Sequence, residues 1–187
     1  MSTSLTTADA VRVLNRGGLL AYPTEAVWGL GCDPFNEPAV LRLLALKQRA
    51  VDKGLILIAG DVGQFDGLLD WHALPHDRSL SVLGSWPGPY TWIVPATARV
   101  PRWIKGAHED VAVRVSAHPV VVALCAGFGG ALVSTSANPA GKPPAREILD
   151  FDPQLLVQLD GVMDGNTGGM AQPTAIRDAR SGEVLRN

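Results

Sequence analysis

Four consecutive aliphatic residues, Leu55-Ile56-Leu57-Ile58, leave no polar face. A strand made of them must be covered on both sides, as a central strand of an α/β sheet is. The flanking sequence meets that demand, because apolar runs alternate with helical patterns along the chain. Thr6 or Thr7 can cap a helix through Val11 and Leu14 that stops at Gly17-Gly18. Asn36-Glu37-Pro38 opens a second helix, with a capping oxygen, an early acid and a proline where no amide hydrogen is needed. That helix runs to about Lys47. A third covers His118 to Phe128, and residues 61–85 are expected to be helical in one or two pieces broken near Pro75.

Strands are expected at Gly18 to Tyr22, Tyr90 to Val94, Val111 to Val115 and Ala131 to Val133. Weaker ones are expected at Leu155 to Leu159, Thr174 to Ile176 and Glu183 to Leu185. Trp28-Gly29-Leu30-Gly31 reads as a glycine-rich loop, and Ser134 to Pro139 as a polar loop. The alternation implies an α/β fold with a mixed sheet. With 187 residues and no repeat or linker, one domain over 1–187 is expected.

Charge narrows the function classes. Sixteen Lys and Arg against eighteen Asp and Glu give a formal charge of −2. Binding nucleic acid through bulk electrostatics usually requires a strong positive excess, so any RNA contact needs a local basic patch. Apolar stretches such as Val120 to Ala126 are far too short to span a membrane. The opening MSTSLTTADAV lacks the basic and then apolar regions of a signal peptide. Cys32 and Cys125 stand alone, which argues against a disulfide or zinc framework. The expectation is a soluble cytoplasmic protein with no membrane contact.

The usual phosphate motifs are absent. Gly141-Lys142 is followed by Pro143, which cannot supply the amide or hydroxyl of a P-loop, and Gly29-x-Gly31 lacks the third glycine of a dinucleotide fingerprint. The histidines at 72, 76, 108 and 118 fall at surface or helix-start positions and are read as solvated or packed. Three segments do suggest anion chemistry. Lys47-Gln48-Arg49 with Lys53 leaves a helix end beside the central strand, a pattern that suits either the helix dipole or a ligand crevice. Ser134-Thr135-Ser136-Ala137-Asn138-Pro139 follows a strand, as turn chemistry or as uncharged phosphate and carboxylate donors. Tyr22-Pro23-Thr24-Glu25 leaves the first strand as an ordinary exit or as part of the same site. Three such strand and helix ends favour one composite site over coincidence.

Together with Trp86-Pro87-Gly88-Pro89, Thr91, Val113-Arg114-Val115 and His118-Pro119, these segments closely resemble the YrdC/TsaC family, the threonylcarbamoyl-AMP synthases. The resemblance runs from about Gly18 to Asn187. It implies a twisted, open mixed sheet flanked by helices, YrdC/RibB-like, with a concave basic ligand cleft. It implies that L-threonine, bicarbonate and ATP give threonylcarbamoyl-adenylate and pyrophosphate. A downstream tRNA-modifying transferase complex would then pass the group to the adenosine beside the anticodon. ATP is expected with Mg²⁺, for which no carboxylate pair marks itself as ligand, and no tightly bound organic cofactor is expected.

Residue by residue, the resemblance implies that Thr24, Arg114, Ser134 and Thr174 bind threonine, with Lys53 on the threonine and bicarbonate side. Lys47, Ser136, Asn138 and Arg186 would contact ATP, and Arg49 would bridge the carboxylate and carbamate end. Lys47 and Arg49 are the expected catalytic pair. Three positions depart from the family pattern: Ala26 lacks a hydroxyl, Ala50 replaces a proline, and Thr174-Ala175 replaces Ser-Thr.

The charge chemistry agrees with this reading. Two unit charges 4 Å apart repel by roughly 4 kcal/mol at an effective dielectric of 20, so gathering a carboxylate, a carbamate and a triphosphate demands cations. Because Lys47 and Arg49 sit at a helix end, replacing either with alanine is expected to abolish adenylate formation and leave the fold intact. The alternatives are a tRNA- or double-stranded-RNA-binding module without catalysis, and an ATP-using transferase acting on another amino acid such as serine.

Overall fold

In a computed structural model, residues 4–139 and 141–186 are described. In chain order the elements are α1 (Thr7–Asn15), β1 (Leu20–Pro23), β2 (Trp28–Gly31), α2 (Glu37–Leu46), β3 (Ile56–Ala59) and α3 (His76–Gly84). Then come β4 (Tyr90–Pro95), α4 (Arg102–Lys105), β5 (Asp110–Val115), α5 (Pro119–Phe128) and β6 (Leu132–Ser136). The last are α6 (Pro153–Leu156), β7 (Gly161–Val162), β8 (Ala175–Asp178) and β9 (Val184–Arg186). The nine strands form one mixed sheet in the order β7-β1-β2-β6-β3-β5-β4-β8-β9.

Local chemistry sets the helix starts. Thr6 accepts from the Asp9 amide at 3.2 Å, and Asn36 accepts from the Ala39 amide at 3.1 Å with Pro38 inside the first turn. Both satisfy amides that a helix start would otherwise leave unpaired.

The central strand behaves as its sequence requires. β3 pairs parallel with β5 and antiparallel with β6. Leu57 and Ala59 face one core with Val111, Val113 and Val115 of β5, under α2. Ile58 faces the other, with Leu132, Val121 and Leu124 beneath α1 and α5. These two helices cover only part of that second face. The remainder, carrying Ile56, Ala112, Arg114 and Ser134, lines a cavity.

Several expectations change. Trp28–Gly31 is a buried strand, not a loop. Trp28 and Leu30 enter the main core, while Gly29 and Gly31 accommodate the Tyr22 ring. A Cβ on Gly31 would lie 2.2 Å from the Val133 carbonyl oxygen, so this close backbone approach needs glycine. β6 continues through Ser136 because Thr135 and Ser136 pair with Leu30 and Gly29. Residues 155–159 do not form a strand. Asp152 caps the short α6 there by accepting from the Gln154 amide at 2.8 Å, and Leu155 packs inward. Of residues 61–85 only His76–Gly84 is α-helical, preceded by two short 3-10 turns. No helix among the described residues is long and apolar enough to cross a membrane.

Candidate active site

The uncovered part of the sheet bounds a cavity of about 480 Å³, within the range of small-molecule sites. Thr24, Arg49, Lys53, Arg114, Ser134, Ser136, Thr174 and Arg186 all line it, from the ends of β1, α2, β5, β6, β8 and β9. Lys47 and Asn138 do not.

Arg114 is buried on β5 opposite Ile58. Its Nη1 donates to Thr174 Oγ1 at 3.3 Å, and that hydroxyl shares a 3.1 Å hydrogen bond with Thr91 Oγ1. Thr24 Oγ1 donates to the Val27 carbonyl at 2.7 Å, leaving its lone pairs to accept. Ser134 is likewise buried and lines the same cavity.

Arg49 is held by the turn that follows it. Nε and Nη2 donate to the Gly54 carbonyl at 3.0 and 2.8 Å, and Nη2 also to the Lys53 carbonyl at 3.2 Å. That turn is shaped by glycine. Gly54 has φ +63, and a Cβ on Gly106 would lie 2.6 Å from the Gly54 nitrogen. Burial and the charge of Arg186 both lower the Arg49 pKa. Arg49 and Arg186 thus lie close enough for their charges to interact, and neither is in an ion pair among the described residues. Lys53 and Lys105 also face the cavity, against the carboxylates Glu109 and Asp110. Asp110 is already bonded to Arg180 at 3.1 Å.

Lys47 is placed differently from expectation. The residue is 8 % exposed, and its Nζ donates to the Ser136 carbonyl at 2.6 Å, to Asn138 Oδ1 at 2.9 Å and to the Asn138 carbonyl. Burial and the nearby Arg49 charge lower its pKa to about 8, against three oxygen acceptors that favour the ammonium. A helix-end lysine with three internal partners contributes to the fold, so replacing it disturbs more than a ligand contact.

Sequence reasoning passed over the residues around Arg114. Glu25 Oε2 lies 3.5 Å from Arg114 Nη1, and Glu25 Oε1 accepts from Ser116 Oγ at 2.6 Å. The hydroxyl absent at Ala26 is thus matched by one from the end of β5. Burial pushes the Glu25 pKa up, but Arg114 and Ser116 outweigh it and hold it below its ordinary value. His118 sits at a helix start as expected, yet it is buried, with its ring Nε2 3.0 Å from the Asn166 carbonyl. The Asp164–Pro173 segment is tied across Thr24 and Glu25, since the Gly168 and Met170 amides donate to their carbonyls at 2.9 and 3.0 Å. Spacing offered no signal for these contacts, because the partners come from distant parts of the chain.

A family model described as telomere recombination, that of Sua5, YciO and YrdC, matches residues 12–187. The chain belongs to the Sua5/YciO/YrdC family. Among curated Sua5/YciO/YrdC relatives, a threonylcarbamoyl-AMP synthase of Xanthomonas euvesicatoria pv. vesicatoria is 59% identical over 187 residues, covering 100% of both chains. Another, from Stenotrophomonas maltophilia, is 58% identical over 183 residues, with 98% of each covered. P. abyssi Sua5 complexed with L-threonine superposes with a TM-score of 0.82 at 28% identity, over 92% of this chain and 50% of that one. The present chain thus spans about half the length of that Sua5. E. coli YciO, at 21% identity and a TM-score of 0.81 over 100% of this chain and 98% of its own, shares the fold.

Proposed function

We infer that this chain is a threonylcarbamoyl-AMP synthase, a nucleotidyltransferase that uses L-threonine and ATP. The observation that carries the reading is a single cavity that joins a buried guanidinium bonded to Thr174, with the Thr24 and Ser134 hydroxyls in the same lining, to two further guanidiniums in no ion pair among the described residues. The first arrangement fits the carboxylate and hydroxyl of a small hydroxy-amino acid, and the second fits a polyphosphate. Full-length relatives at 58–59% identity carry that synthase name.

In the proposed reaction bicarbonate supplies the carbamoyl carbon, and a carbamate oxygen attacks the α-phosphorus of ATP and displaces pyrophosphate. Arg114 orients the threonine carboxylate, with Thr24, Ser134 and Thr174 around the side chain. Ser136 and Arg186 hold the reacting phosphates, and Arg49, close to Arg186, bridges them to the carbamate and offsets the charge that builds up as the anions approach. Phosphoryl transfer of this kind rests mainly on positioning and electrostatics, so no proton-transfer role is assigned to His108, Glu109 or Asp110, which also line the cavity. Lys47 acts by holding the Ser136–Asn138 segment in place. Among the described residues no three His, Cys, Asp or Glu side chains come together to hold a metal. Mg²⁺ accompanying ATP would therefore be carried by phosphate oxygens and water.

The product is a mixed anhydride and hydrolyses readily, so a transferase must consume it soon after release, and in the proposed reading that transferase acts on tRNA.

The test is pyrophosphate release from ATP by the purified protein, with threonine and bicarbonate each present or omitted. Release that requires both supports the synthase. Absence of release combined with RNA binding indifferent to ATP and threonine would leave only the fold assignment standing.

A further inference from the structure

Glu25 is a buried acid with no task in the reaction just described. Its Oε1 is anchored by Ser116 Oγ at 2.6 Å, and that oxygen also accepts from the His118 amide at 3.1 Å. Its other oxygen faces Arg114 Nη1 at 3.5 Å, with both side chains nearly inaccessible. Yet Glu25 Oε2 and Arg114 Nε are both buried without a hydrogen-bond partner among the described residues. Nη1 is used on Thr174 instead. An arginine–carboxylate pair built for strength makes two parallel N–H···O bonds, and this pair makes none. Arg114, Thr24 and Thr174 line the cavity while Glu25 stands behind them.

We propose that Glu25 is a positioning residue, a standing counter-ion that offsets the buried charge of Arg114 and keeps the guanidinium aimed in the empty site without occupying its donors. Burying a guanidinium with no opposite charge is strongly unfavourable. A fully bonded pair would avoid that, but it would have to break before any ligand carboxylate could bind. The half-made pair avoids both difficulties. Its negative charge also acts as a filter. An added carboxylate turns the locally neutral pair into a net anion, so stray anions are disfavoured. A zwitterionic amino acid brings its own ammonium and escapes most of that repulsion. The inference rests on the synthase reading only in taking threonine as the natural carboxylate.

The test is thermal unfolding of the wild type, Glu25→Gln, Arg114→Gln and the double variant, in sodium chloride and in sodium acetate of equal ionic strength. Glutamine keeps an acceptor for Ser116 and removes the charge. Glu25→Gln is expected to lower Tm by about 5–10 °C, and acetate to restore part of that loss in this variant only. The double variant is expected to lose less than the two single losses added together. Equal acetate shifts in wild type and Glu25→Gln, or simple additivity, would overturn the proposal, because a merely structural glutamate has no reason to be replaced by acetate. If Glu25→Gln alone does not fold, recovery of folding in the double variant supports the counter-ion role and its failure refutes it. A threonine arm separates the two readings: no threonine-induced shift in wild type removes the synthase, while the acetate result still decides the role of Glu25.

Discussion

Lys47 is bonded to both oxygens of Asn138, at 2.9 Å to the side chain and also to the backbone carbonyl, so the end of α2 sets the course of the chain after β6. Asn138 Oδ1 in turn accepts from Ser136 Oγ at 2.6 Å. Lys47→Met should therefore lower both activity and stability. Removing a charged donor from three oxygens should cost about 2–4 kcal/mol of unfolding free energy, readable in urea denaturation. An inactive variant with unchanged stability would return Lys47 to a purely ligand-contacting role.

Arg114→Lys keeps the charge and loses the planar fork, so it separates electrostatic attraction from oriented binding. The expected result is a rise in KM for threonine of about tenfold or more, equivalent to roughly 1.4 kcal/mol, with KM for ATP little changed. Steady-state pyrophosphate release under varied threonine and varied ATP measures both.

Arg49 and Arg186 raise each other's electrostatic cost until a polyanion arrives. Each should lose affinity for ATP when changed to glutamine, by about tenfold or more for loss of one charge-assisted contact. The double variant should lose less than the product of the two, since removing one cation relieves the other. Isothermal titration with a non-hydrolysable ATP analogue would show it, and strict additivity would mean that the two do not share a ligand.

Glu25 gives the acid limb of stability. Its pKa in the folded protein lies below its ordinary value of 4.5, through Arg114 and Ser116 acting against burial, with a smaller effect from His118. Its ionised form therefore stabilises the fold above about pH 4.5, and that contribution is lost as pH falls through the depressed value. Tm should fall less steeply below pH 4.5 in Glu25→Gln than in wild type. Parallel curves for the two proteins would contradict this.

The legible parts of the fold were those where period and caps agreed. α2 is capped by Asn36 with Pro38 in its first turn, β3 carries an apolar run that only a covered strand tolerates, and β5 alternates with its valines on one face. β2 was missed because two of its four residues are glycines, and the reason they suit a strand, the Tyr22 ring packed over them, is invisible in a local window. The apolar stretch at 155–159 misled for a different reason. Asp152-Pro153 was a helix-start signal in plain sight, but the following leucines and valine were weighed as strand formers. In the site, charged and hydroxyl residues next to strand ends could be picked out singly. What sequence could not convey was which of them spend their hydrogen bonds inside the protein. Lys47 does with all three of its acceptors, Arg49 does in part, and Glu25 does with one oxygen only.

β6 is bonded to β2 on one side and β3 on the other, and it carries both Ser134 and Ser136. Hydrogen exchange should be slowest where pairing is two-sided, so these hydroxyls belong to the part of the molecule that opens last. Substrates then meet a floor that does not adjust to them. Any induced fit has to come from the rim, where Arg186 lies on an exposed edge strand and the Asp164–Pro173 strap is held by the Gly168 and Met170 amides and by the His118 and Arg146 side chains. Natural or laboratory change of amino-acid preference is accordingly more accessible through the strap than through the strand.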